Sequence, residues 1–171
     1  MHAEILVLRL IHILSAITWL GGGIFTAFFL IPAISTSPDL IANVMGGLRR
    51  KHFFVIQPII ATLTILSGLR LLWIDSAGFA GSYFDSATGK AFGWGGLAAL
   101  IAYITSYAIA FPLNTRMGKL GPQIKNAPAG PERDRMSADM NRLRSRAAIA
   151  TMATLTFGII AGAAMAVARY L

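Results

Sequence analysis

The chain has no cysteine in its 171 residues. That excludes disulfides, zinc–thiolate sites and iron–sulfur clusters. Charge is scarce as well: 13% of the residues are charged, against about 25% in a soluble domain. So little charge cannot coat a water-facing surface, and an integral membrane protein follows before any motif is read. Acidic groups are the rarest, seven Asp and Glu against fifteen Lys and Arg. None lies inside a long apolar run, and Glu4 only borders the first. The mid-membrane carboxylate relay of ion-coupled transporters is therefore missing. No Ser–His–carboxylate set is plausible either. Gly21-Gly22-Gly23 has apolar sequence on both sides, so it reads as a packing surface and not a phosphate loop.

What the chain has in quantity is apolar sequence, 56% of its residues. A membrane helix needs roughly 20 mostly apolar residues. Four segments qualify, at about 5–34, 53–74, 92–115 and 147–168. Four strands could not close a barrel, and backbone groups in lipid must be bonded internally, so the spans are helices. The expected fold class is all-α, an integral membrane four-helix bundle forming one transmembrane domain over residues 1–171. The first segment lacks a charged leader and is too long for a cleavable signal.

The formal net charge of +8 is concentrated in two loops. One carries Arg49, Arg50 and Lys51; the other, about 116–146, carries eight cations from Arg116 to Arg146. Both loops lie on one side of a four-span bundle, and the positive-inside rule makes that side the cytoplasm. The expected topology places both termini and the Asp75–Ala91 loop outside the inner membrane. Anionic lipid headgroups, and no nucleic acid, are the partners this charge implies. Gly121-Pro122 through Gly130-Pro131 reads as irregular chain. Residues 132–146 read as an inward extension of span four, with a helix on the membrane surface as the alternative.

A weak internal echo joins the two halves. Span one has Trp19, Gly21-Gly22 and Pro32; span three has Trp94, Gly95-Gly96 and Pro112. Two helical hairpins in parallel orientation are one reading; the other is that belt tryptophans and glycines recur in any membrane bundle.

His12 is the residue with the most chemistry. It lies about 10 Å inside the outer end of span one. Arg9, His12 and Trp19 share a helical face, with small Ala16 and Gly23 beside them. This stripe suits a haem b pocket, with His12 as the iron ligand and metal site. Arg9 and Arg70 would meet the propionates. The bland alternative is a packed, hydrogen-bonded histidine with both arginines reaching to headgroups. For a second axial ligand the choices are Met165, the His12 of a second copy, or none. His52 belongs with the basic cluster, and His2 with the mobile terminus. Pro58 should kink span two, with Gln57 able to satisfy the freed carbonyl. Thr62, Thr64 and Ser67 are placed to bond across helices.

His12, Trp19 and Gly21-Gly22 near the start of the first helix resemble the copper resistance protein D family. They are similar also to the HemJ-type protoporphyrinogen oxidases and to the membrane part of cytochrome-linked urate oxidase. Phe28–Pro32 and Ser67-Gly68 with Arg70 fit the copper-resistance pattern. The resemblance covers about the first 75 residues. It implies a helical bundle with a first-helix histidine, haem b in the HemJ type and copper handling in the other. The chain departs from the HemJ type at Phe29-Leu30-Ile31-Pro32, where that type has an arginine and a histidine, and no lysine lies inside a span. The resulting expectation is haem b binding for electron transfer or a membrane redox step, beside a redox partner or a second copy. Copper passage and a non-catalytic accessory subunit are the alternatives.

Overall fold

The computed structural model describes residues 2–171. Among the described residues every element is a helix. Helix α1, His2–Ile34, is followed by α2, Pro38–Arg50, and α3, Phe53–Asp75. The short α4 is Gly81–Asp85. Then come α5, Ala87–Asn126, and α6, Pro131–Ala168. The helices α1, α3, α5 and α6 are long and apolar enough to cross a membrane. All four expected spans are found, and the fold class is all-α.

The helices outrun their apolar segments. Helix α5 continues to Asn126, through a stretch expected to be irregular. Pro122 sits inside it, and the carbonyl that loses its donor is that of Gly118, where both residues are exposed and water can solvate the oxygen. Only Ala127–Gly130 separates α5 from α6. Helix α6 is continuous from Pro131, so residues 132–146 do extend span four. Glu132 and Asp134 in its first turn complement the helix dipole.

The loop between α1 and α3 holds a helix that the sequence reading missed. In α2, Ile41, Val44, Met45 and Leu48 recur at helical spacing, with Asp39 in the first turn and Arg49 and Arg50 in the last. His52 is exposed and takes a left-handed backbone, φ 56°, as the corner into α3. Its carbonyl accepts from the amides of Val55 and Ile56, both at 2.9 Å.

Helices α1 and α5 share a device. A π turn at Thr26–Leu30 ends two residues before Pro32, and another at Thr105–Ala110 ends two residues before Pro112. A proline ring crowds the carbonyl four residues back and offers it no donor. The wider π turn spans that position in both helices, so each continues inward without breaking.

The chain divides into two compact units. The first takes in the chain up to Leu100 together with Gly158–Leu171. Within it α1 and α3 run antiparallel, with Glu4 level with Arg70, Ser15 with Thr64, and Gly22 with Gln57. Gly95 of α5 packs on Ala161, Ala164 and Met165 of α6, and Gly158 of α6 on Leu20 of α1. Most of its buried positions are small, among them Ala61, Thr64, Ser67, Ala98, Ala161 and Ala168, with Ile34 the large exception. Small residues let helix backbones approach closely where no water drives them together. The outward faces carry exposed Leu6, Leu10, Leu14, Ile17, Leu63 and Leu66. Apolar surface on that scale suits hydrocarbon and not water.

The turn after α3 is tightly drawn. Ser76 is buried, and its Oγ accepts from the amide of Phe79 at 2.8 Å. The ring of Phe79 meets Trp73 edge-on at 5.2 Å. Helix α5 is capped by Ser86, whose Oγ accepts from the Gly89 amide at 2.9 Å. Gly89 has no substitute there, because a Cβ would run into the Tyr83 carbonyl.

The second unit is Ile101–Phe157. It holds the C-terminal part of α5 and the N-terminal part of α6, which run antiparallel, with Gly121 facing the methyl group of Met140. Ala102, Ala110, Met140, Ala147, Ala150 and Leu155 are its buried apolar residues.

Candidate functional site

His12 lies in the seam between α1 and α3. Its Nδ1 is 2.8 Å from the backbone carbonyl oxygen of Thr64. A carbonyl only accepts, so Nδ1 carries the proton and donates. In the neutral ring the lone pair then belongs to Nε2. This carbonyl is available because Thr64 and Ser67 are followed by Gly68, which brings α3 close. A Cβ on Gly68 would come within 2.7 Å of His12 Cε1 and 3.0 Å of Nδ1. The imidazole therefore rests on glycine backbone.

Three hydroxyls surround this contact. Thr64 Oγ1 donates to Ser15 Oγ at 2.9 Å, tying α3 to α1. Ser15 donates to the Ile11 carbonyl at 2.5 Å. Ser67 donates to the Leu63 carbonyl at 2.5 Å, leaving its oxygen 3.4 Å from His12 Nδ1 as a second, weaker acceptor. The expected cross-helix bonding of Thr64 and Ser67 is thus found. Thr62 donates to Pro58 O at 2.8 Å within its own helix. The sequence reading had no signal for the Thr64 carbonyl, since a backbone acceptor carries no residue type.

Of the two expected propionate anchors, Arg9 is exposed one turn before His12 on α1. Arg70 is engaged with Glu4, its Nη2 at 2.6 Å and its Nε at 3.0 Å from the same Oε1. Glu4 lies within helix α1, level with Arg70 of α3. Trp19 is half-buried two turns inward of His12. Met165 packs on Gly95 in the α5–α6 pair, whereas His12 belongs to the α1–α3 seam. Gln57 does not serve the carbonyl freed by Pro58. Its amide nitrogen faces Gly22, and its buried Oε1 has no partner.

Among the described residues no three His, Asp or Glu side chains gather to hold a metal ion. The chemistry at this seam is that of one imidazole with a fixed tautomer. Outside the spans, burial and then the charge of Asp75 push the Tyr83 phenol above its ordinary pKa.

Comparison with family models, curated proteins and solved structures returns no match. The likeness to the copper resistance protein D group therefore rests on the residues themselves: His12, Trp19, Gly21, Gly22 and the Ser67–Arg70 stretch.

Proposed function

We propose that this chain is a bacterial inner-membrane protein that holds haem b through Nε2 of His12 and serves electron transfer or a membrane redox step. The observation that carries the reading is the His12 Nδ1–H bond to the Thr64 carbonyl. Histidines that bind metals donate their other ring N–H to a carbonyl or carboxylate, which fixes the ring and raises the basicity of the ligating nitrogen. The donor set fits haem at one axial position. When bound, the haem iron supplies a one-electron couple.

The chain's own residues divide the work around it. Thr64 O orients the imidazole, and Gly68 sets how near α3 stands. Arg9 is the cation free to meet a propionate, while Arg70 first has to exchange its bond to Glu4. Trp19 gives the same α1 face an aromatic wall. A second copy's His12 or Met165 would be the protein's remaining candidate for holding the iron. Both termini lie outside, on the strength of Arg49–Lys51 and of Arg116–Arg146 as inside loops.

The test is a reduced-minus-oxidised spectrum of protein purified in detergent from haem-replete cells. A Soret and α band scaling with protein support the reading; a flat spectrum rejects it. A second reading, an accessory subunit that packs on another membrane protein, is favoured by Gly21 and Gly162. Both face open space on α1 and α6. Co-purification of a stoichiometric partner without haem would select it.

A further inference from the structure

A cleft of about 450 Å³ opens on the second unit, wholly between the inner parts of α5 and α6. Its walls bring together Arg116 and Lys119 from α5 with Arg142 and Arg146 from α6. These positions recur three and four residues apart, so each pair shares one face of its helix. The antiparallel register set by Gly121 and Met140 puts Arg116 level with Arg146 and Lys119 level with Arg142. Four cations thus face one gap. The single carboxylate in the wall is Asp139, 3.7 Å from Arg142 in a loose, exposed pair. Among the described residues Arg116, Lys119 and Arg146 make no ion pair.

Unpartnered like charges repel, and a gap lined by them is stabilised when an anion enters. Arg presents a planar fork that matches phosphate oxygens, and Lys adds a point charge. The cleft stands where the apolar segments end: α5 is uncharged from Ala91 to Thr115, and α6 from Ala147 to Ala168. That is headgroup depth. Leu120 and Leu143 line the same cleft, giving apolar surface beside the cations.

We infer that this cleft is a binding site for the phosphate groups of an anionic phospholipid. The chemistry is that of a doubly charged phosphate-bearing group gripped from two helices, with its acyl chains running toward the apolar segments that begin at Thr115 and Ala147. Its occupancy would tie α5 to α6 between their apolar segments and the turn Ala127–Gly130. The site is independent of His12 and stands whether or not haem binds.

The probes are cardiolipin, read by native mass spectrometry of delipidated protein in neutral detergent, and sodium pyrophosphate, read by tryptophan-monitored thermal unfolding. Each cation near an anionic headgroup strengthens binding by about fivefold. The variant Arg116→Gln/Lys119→Gln/Arg142→Gln/Arg146→Gln is expected to lose the cardiolipin adduct by at least tenfold. Arg133→Gln/Arg135→Gln, basic positions of α6 outside the cleft, should keep it. Should the quadruple variant not fold, Lys119→Gln/Arg142→Gln carries the same expectation. Cardiolipin binding that depends on the cleft cations identifies the lipid. Pyrophosphate stabilisation with the same dependence, and no cardiolipin adduct, keeps the phosphate site and makes its source soluble. Absence of binding by both probes, or equal losses in the cleft and control variants, overturns the inference.

Discussion

Gly68→Ala probes the His12 seam with the smallest possible change. The added Cβ would stand 2.7 Å from His12 Cε1, where ordinary carbon contacts are about 3.5–4.0 Å. The ring must retreat by roughly 1 Å, and the 2.8 Å bond to Thr64 O is then stretched beyond a useful length. Overpacking of this kind costs about 1–3 kcal/mol. Replacing a helix glycine with alanine returns up to about 1 kcal/mol. With the full gain the net loss is about 0–2 kcal/mol, or a midpoint lower by up to about 8 °C for a chain of this length. Tryptophan fluorescence in detergent reads it, since the chain has three tryptophans. Gly162→Ala is the control, because a Cβ there meets nothing within 4 Å, and it should be neutral or mildly stabilising. In a His12→Ala background the Gly68→Ala penalty should vanish. A Gly68→Ala protein as stable as Gly162→Ala would refute the packing argument. So would a penalty that persists without His12.

Other substitutions test neighbouring parts of the account. Gln57→Leu removes a buried oxygen that has no partner, so unfolding should occur at the same or higher temperature, by up to about 1 kcal/mol in stability. Glu4→Gln breaks the Arg70 pair, which is 42–49% exposed; the loss should be below about 1 kcal/mol and shrink in high salt. The Tyr83 phenol should ionise later than an ordinary tyrosine, seen as phenolate absorbance missing from Tyr83→Phe. A raised folded pKa means this group's contribution to stability is present below the unfolded value near 10 and is lost as pH rises through the folded one. Asp75→Asn should reduce the shift only partly, because burial is its larger cause.

The membrane spans were legible because length and apolar content alone decide them. The ends were not, since α1, α5 and α6 continue as helix into sequence that carries charge, glycine or proline. Pro122 illustrates why: α5 continues past it, with the orphaned Gly118 carbonyl exposed to water. Helix α2 carries its signal in Ile41, Val44, Met45 and Leu48, a stripe too short and too interrupted by charge to read as a span. At the site, His12 stood out as an imidazole in apolar sequence. Its partner did not, because the acceptor is the backbone of Thr64. Glu4 was treated as a border residue, and so Arg70 was assigned to a propionate in place of the carboxylate beside it. The antiparallel register of α1 and α3 is the missing information: once His12 is set against Ser67 and Gly68, Glu4 falls level with Arg70.

The central claim is ligation by His12, and the measurement that tests it most directly is the haem content and reduced α band of three proteins purified side by side. Wild type should carry haem b. His12→Ala should lose the bound haem or shift its spectrum to that of an unligated form, while Arg9→Gln keeps the ligand signature at reduced occupancy. Haem retained by His12→Ala with an unchanged spectrum would contradict the account, as would a wild-type protein with no haem band.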